Sequence, residues 1–473
     1  MALDLNSYFK LGLDSTDDGL DTGGILNTIR VAPETVSTLH NRVTFRMENQ
    51  GLLTKDSGIT VSAYDYQGGN SNARVNILSG ILGAIKRCTV RIDDKILVDV
   101  EEPAHLETAN MYSMQPPAKI LDFNKSLIGN DFLANISNVQ YNDAANISEY
   151  GQSQLSENTG VQYVGAVPVV RREKLSNTKL NNKKYFVHLS ELSCQFLKMN
   201  MLPLFLMKDR NIELVLEFHN NRSRDWSFNG NIAPNANGIQ VDLESIELIQ
   251  SVVLPDQELM NQSIDTLQNQ SANFPLIESY LVKSVLTTPA IDTALNYSPF
   301  LINCQNRELQ RVLYANVDPS PSGTDIFGNQ GSTSLGDYSY NWRINGSFLF
   351  DNNIVNSTDQ YYLLSEYAAG NGLKVLNDMF VNNQLKVAQQ TSTKADNRLI
   401  RGRMNYIGQS LRNGNQGIYG AGTAIRNPVE LDLQVTPRSA NFPDQVTKEY
   451  VMNFYVSNSK LLTINPNSVN ITF

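Results

Sequence analysis

VRIDDKILVD (residues 90–99) and WRINGSFLFD (residues 342–351) share an Arg-Ile, a two-residue polar step and a closing Leu-x-Asp. Their arginines, Arg91 and Arg343, stand 252 positions apart (343 − 91). Each phrase has the chemistry of a tight β-hairpin, with apolar residues alternating on both sides of a central pair. Asn345-Gly346 suits a type I′ turn because both residues tolerate positive φ. Asp93-Asp94 fits the same turn less comfortably. Ten positions alone leave chance open, and the residues after each copy shift the balance. After Asp99, Pro103 suits a first helical turn and Leu106 and Ala109 give an apolar side at helical spacing. After Asp351, Ser357 with Gln360 makes a capping-box pattern and Gly370 stands where a helix stops. Both copies therefore read as hairpin, then short helix.

The ends of the two halves match as well. NIELVLEFHN (211–220) corresponds to PVELDLQVTP (428–437), each an alternating strand with a Glu in the same place. VDLESIELIQSVVLPDQ (241–257) corresponds to EYVMNFYVSNSKLLTINPN (449–467). The order of elements repeats while the loops differ in length. A tandem duplication of one β-domain accounts for this better than coincidence.

The length of 473 residues holds two such domains, since sandwiches commonly reach about 200–250 residues. Many short strands with closely spaced turn signals, about eight to each half, give an all-β reading: two tandem eight-stranded jelly-roll β-sandwich domains with a few short helices. The divisions are an N-terminal arm at 1–20, a first jelly roll at 21–255, a linker helix at 256–273 and a second jelly roll at 274–473. The linker has Pro255 at its start and Met260, Ile264 and Leu267 at helical spacing. The arm reads either as a frayed terminus or as a segment that docks on another subunit. Residues 121–165, rich in Asn, Ser and Gln, read as a long loop carried on the scaffold, and 319–337 and 412–428 are shorter excursions.

Charged residues are only 18% against 41% hydrophobic, so the polar surface is supplied largely by Asn, Ser, Gln and Thr. Such a surface packs against neighbours with few desolvated ions. The formal net charge of −9 argues against a body that wraps nucleic acid, which needs a basic face. The basic stretches 171–184 and Arg398, Arg401 and Arg403 read as solvated or inter-subunit surface. Cys88, Cys194 and Cys304 lie far apart without a CxxC, as buried thiols of a reducing compartment do. The first twenty residues lack a signal-peptide core, and no run approaches the ~18 apolar residues of a membrane span.

Catalytic signatures are missing: there is no Walker A, HExxH or GxSxG sequence. Of four histidines, His40, His105, His188 and His219, none has a ligand-spaced partner, and His188 in FVHLS reads as core or interface. GIYGAG (417–422) is followed by a strand rather than a helix, which argues against a dinucleotide loop. Asp17-Asp18 and Asp93-Asp94 read as solvated terminal and turn residues. The two tryptophans, Trp226 and Trp342, are few for a sugar-binding cleft. No catalytic, cofactor-binding or metal residue is assigned, and no cofactor.

IKRCTVRIDDKILVD, LPLFLMKDRNIELVLEF, NWRINGSFLFD and VMNFYVSNSKLLTINPNSV, in this order across both halves, resemble the double jelly-roll major capsid proteins of double-stranded DNA viruses, in particular those of virophages and polinton-like viruses. The resemblance implies a structural subunit and no enzyme. It implies a homotrimer whose six similar wedges form a pseudo-hexagonal capsomer tiling an icosahedral shell. Neighbouring capsomers, penton and minor capsid proteins and an underlying membrane are the partners it suggests, with no direct nucleic-acid contact, and the virion capsid is the location, after synthesis inside a host cell. The alternative is a two-domain jelly-roll protein that binds or hydrolyses glycans, which predicts convergent carboxylates and aromatic rings in a cleft.

Overall fold

A computed structural model describes residues 25–65, 73–75, 79–114, 184–192, 197, 201–219, 227–229, 239–255, 257–269, 271–305, 307–317, 332, 337–355, 363, 406–412, 422–437, 449–465 and 468–472. Eight strands organise the first half: β1 (Ile25–Val31), β2 (Arg42–Arg46), β3 (Gly58–Asp65), β4 (Ile85–Ile92), β5 (Lys95–Glu101), β6 (Lys184–His188), β7 (Ile212–Phe218) and β8 (Glu247–Leu254). The second half repeats them as β9 (Ala272–Thr287), β10 (Phe300–Ile302), β11 (Glu308–Val317), β12 (Asp337–Ile344), β13 (Ser347–Phe348), β14 (Ile407–Ser410), β15 (Val429–Thr436) and β16 (Glu449–Ile464). Helix α1 (Pro103–Met114) follows β5, and α2 (Gln257–Asn269) lies between β8 and β9.

The pairing repeats with the numbering. In the first half β1-β8-β3-β6 form one sheet and β2-β7-β4-β5 the other. In the second, β9-β16-β11-β14 form one and β10-β15-β12-β13 the other. Adding eight to each label converts the first order into the second, and every one of these pairs is antiparallel. Each half is thus an eight-stranded jelly-roll sandwich, with short extra strands such as Leu52–Leu53 and Val469–Thr472 added to its sheets.

The local causes are ordinary ones. VELDLQVT in β15 alternates buried and half-buried residues, which leaves one face for the core and one for the surface. The second hairpin turns through Asn345 at φ 52° and Gly346 at φ 87°, the left-handed pair that a type I′ turn requires. The first hairpin departs from this. Asp93 takes φ 52° but Asp94 has no positive φ, and the ladder slips between Val90↔Val98 and Arg91↔Ile96, leaving Leu97 as an extra residue. An Asp in the second turn position resists what Gly accepts, so the strand accommodates a bulge instead.

Two apolar cores result. The first gathers Val43, Phe45, Ile59, Val90, Leu106, Leu214 and Leu248, and the second Val312, Tyr340, Trp342, Leu431, Phe454 and Val456. The β9-β16-β11-β14 sheet is the wall between them. In β11, Val312 and Tyr314 belong to the second core while Leu313 and Ala315 belong to the first. In β16, Met452, Phe454 and Val456 face the second and Tyr455 joins the first. ELQRVLYANV, covered on both faces, is buried from Leu309 onward, its polar Gln310, Arg311 and Asn316 included.

The N-terminal arm (1–20), the loop 121–165, residues 171–183, Cys194, Trp226 and Arg398, Arg401 and Arg403 lie outside the described residues. The helix expected after the second hairpin, around Ser357 and Gln360, lies outside them too, Leu363 excepted.

Candidate functional site: the seam between the sandwiches

The wall has a second side because the first hairpin and its helix press on it. Lys460, on β16, is almost completely buried and donates to the carbonyl oxygens of Ile96 (3.1 Å) and Leu97 (3.2 Å), across the seam. The same ammonium lies 3.0 Å from Glu278 Oε1 on β9, and that carboxylate is itself buried. Burial lowers the Lys460 pKa, and the Glu278 charge and hydrogen bond oppose that shift. Taking two ions out of water is tolerable here because each has a partner and the lysine's remaining donors reach main-chain oxygens. Lys95 at the hairpin donates to the Val469 carbonyl and to Asn470 Oδ1 (2.8 Å), and Lys283 on β9 meets Glu101 at 3.0 Å.

Helix α1 completes the seam. Pro103–Thr108 and Asn110 are all buried, so the first turns of the helix are covered on every side. Ala104 and Leu106 face the first core, while His105 Nδ1 lies 3.3 Å from the Tyr455 hydroxyl and 3.3 Å from Asn453 Nδ2. Tyr455 donates to the Glu102 carbonyl at 2.7 Å. Glu102 holds φ 50° and its carboxylate sits 3.0 Å from His219 Nε2. Burial works to raise the Glu102 pKa, but the His219 hydrogen bond and charge outweigh it and hold the carboxyl below its ordinary value. These buried polar groups are largely paired with one another, Glu278 Oε2 and Asn453 Oδ1 excepted, an arrangement suited to fixing one sandwich against the other.

The outer faces of the two hairpin sheets carry one further repeat. Register places Arg46, Glu213, Arg91 and Ile96 in one lateral row across β2-β7-β4-β5. Leu301, Glu430, Arg343 and Phe348 form the corresponding row across β10-β15-β12-β13. Arg343 binds Glu430 at 2.8 Å and Asp432 at 3.2 Å, and its guanidinium lies 4.4 Å over the Phe348 ring.

The histidines named from sequence do not converge. His105 and His219 approach the seam from two sides, and His188 stands edge-on to Phe186 on the outer face of β6, ring centroids 4.8 Å apart. Cys88 and Cys304 are buried, reduced thiols, and Trp342 is a core residue. Asp93 is a turn residue that accepts from the Asn211 amide at 2.9 Å. Gly422 packs beside Leu309 and donates its amide to Glu308, with the strand Thr423–Ala424 next in the chain; residues 417–421 lie outside the described residues. Among the described residues no group of three or more His, Cys, Asp or Glu could hold a metal ion, and no helix is long and apolar enough to cross a membrane. Lys460, Glu278, Tyr455 and Asn453 were not legible as a site, because a Lys and a Glu 182 positions apart (460 − 278) share no spacing that sequence displays.

No protein-family model matches the chain, and no curated protein does. Solved structures do match along nearly the whole length. PBCV-1 VP54, in a crystal structure fitted into a cryo-EM reconstruction of the virophage Sputnik, superposes with a TM-score of 0.58 at 12% identity, covering 97% of this chain and 99% of that one. The Faustovirus major capsid protein gives 0.54 at 10% identity, with 96% and 92% covered. A chain of the Sputnik virophage structure gives 0.51 at 12% identity, with 98% and 91% covered. The fold is the double jelly roll of viral major capsid proteins. In this double jelly roll the seam is the joint between the two rolls.

Proposed function

We propose that the chain is a major capsid protein: a structural subunit, not an enzyme, that trimerises into pseudo-hexagonal capsomers tiling an icosahedral virus shell. The observation that carries this reading is the strand-for-strand repetition of one sandwich with a built seam between the copies. Repeating one wedge lets a threefold assembly occupy a sixfold lattice position. The full-length likeness to capsid proteins supports it, as does a charged share of 18%, low for a surface that meets only water. On this reading residues 21–255 and 274–473 are the two wedges, 256–273 joins them, and the arm at 1–20 ties the capsomer to neighbours, penton or minor capsid proteins or an internal membrane. The virion capsid is the place of function, reached by assembly inside the host cell. Genome contact is left to other components, in keeping with the net charge of −9. Negative-stain imaging of the purified chain tests the proposal: six-sided particles with threefold symmetry are expected, and isolated two-lobed particles at every concentration would overturn it.

A further inference from the structure

Two histidines stand by the start of α1, and their surroundings differ. His105 is 3% exposed and lies against the Asn453 Nδ2 donor, so burial and that N–H both disfavour a charge on its ring. His219, one residue beyond β7, faces a carboxylate instead: its Nε2 donates to Glu102 Oε2 at 3.0 Å, with side chains only 10% and 18% exposed. A carboxylate at that distance, shielded from water, favours the charged imidazolium.

The residue that His219 grips has a constrained backbone. Glu102 holds φ 50°, left-handed geometry that a non-glycine residue keeps only when its surroundings fix it. Its amide donates to the Lys86 carbonyl at 2.7 Å, its carboxylate accepts from His219, and its carbonyl accepts the Tyr455 hydroxyl at 2.7 Å. The first two bonds lie within the first sandwich, and the third crosses to the wall of the second. Turning the Glu102 backbone out of the left-handed region swings that carbonyl, so the state of the side-chain pair is felt across the seam. Around the pair, among the described residues, stand Glu101 and Lys283 at the rim, bound to each other at 3.0 Å, Glu107 further along α1, His105, and Tyr455 with Tyr406 beside it, whose hydroxyls burial keeps neutral. Of these residue types only histidine ordinarily changes charge near neutral pH.

We propose that the Glu102–His219 pair is a pH-sensitive catch on the joint between the two sandwiches: with His219 charged it holds the start of α1 in the turn that presents the Glu102 carbonyl to Tyr455, and as that proton leaves, the seam loosens first along α1 and the facing stretch of β16. Glu102 is already ionised near neutral pH, because its carboxyl is held below its ordinary value. The charge on His219 is favoured by the fold, so the stability it brings is present in mild acid and is lost as pH rises above neutrality. The joint therefore tightens on mild acidification. It lies inside one chain, so the catch works whether or not chains trimerise.

Hydrogen–deuterium exchange of the full-length protein at about pH 6, 7 and 8.5, corrected for the intrinsic exchange rate, tests the proposal. Protection of segments 101–108 and 453–457 is expected to fall roughly tenfold from the lowest pH to the highest. In His219→Gln, which keeps a neutral donor without the charge, protection of both segments is expected to be independent of pH. Tyr455→Phe is expected to abolish the response at 453–457 while leaving it at 101–108. If His219→Gln does not fold, Glu102→Gln carries the same comparison. A response that persists in His219→Gln, or one that stays within the first sandwich of the unmodified protein, overturns the proposal. So does protection that falls between pH 7 and 6, which would make His105 the responding group.

Discussion

Leu97 and Leu349 hold the same place in two hairpins that read almost alike, yet Leu97 is 1% exposed and Leu349 38%. Their neighbours differ in the same sense: Asp99 accepts two hydrogen bonds of 2.7 Å from Arg87 and one of 3.1 Å from Thr89, whereas Asp351 is exposed. The residues of a hairpin set its turn and alternation. What covers it is decided by what else in the fold packs on it. The first hairpin has the second sandwich on it, and the second hairpin has no such cover among the described residues of its own chain.

Predictions that break or sharpen this contrast fall in order of size. Lys460→Met leaves the buried Glu278 carboxylate to the more distant Arg307 guanidinium, 4.0 Å away, and uncaps the first hairpin's carbonyls, and is expected to cost about 3–5 kcal/mol in denaturant unfolding. Pairing it with Glu278→Leu is expected to recover most of the loss. Leu97→Ala is expected to cost about 2–4 kcal/mol, as large-to-small core changes do. Leu349→Ala in the monomer should stay within about 1 kcal/mol. Equal costs for the two leucines would refute the asymmetry. Gly346→Ala puts a Cβ at φ 87° in open space and should cost about 1–2 kcal/mol, while Asp94→Gly should not destabilise the first turn beyond the entropy of a glycine.

The last prediction concerns pH. The Glu102 carboxyl is held below its ordinary value of 4.5 in the fold, so its stabilisation is fully present above that pH and is lost as pH falls through the lower folded value. Titrating unfolding free energy through and below pH 4.5 should show a steeper fall for the unmodified chain than for Glu102→Gln. Identical slopes would show that Glu102 does not stabilise the seam.

Much of the fold is legible in the sequence, for physical reasons that name particular residues. Asn345-Gly346 announces a I′ turn because few other pairs tolerate its backbone, and the recurring Glu213 and Glu430 mark equivalent strands that do occupy equivalent places. Alternation in β15 shows one buried face. In MNFYVSN of β16 both faces are buried, so no alternation reports which side meets which core. The helix after the first hairpin is readable from Pro103 and Leu106, but not its burial on all sides, since His105 looks polar until Tyr455 and Asn453 arrive from 350 and 348 positions away (455 − 105 and 453 − 105). The seam stays hidden because it is made of long-range partners.

The most direct test of the central claim is the native mass of the purified chain by light scattering. If the two sandwiches of each chain are two of six wedges, three chains of 52.7 kDa close at about 158 kDa. A monodisperse species at 52.7 kDa up to high concentration would contradict it.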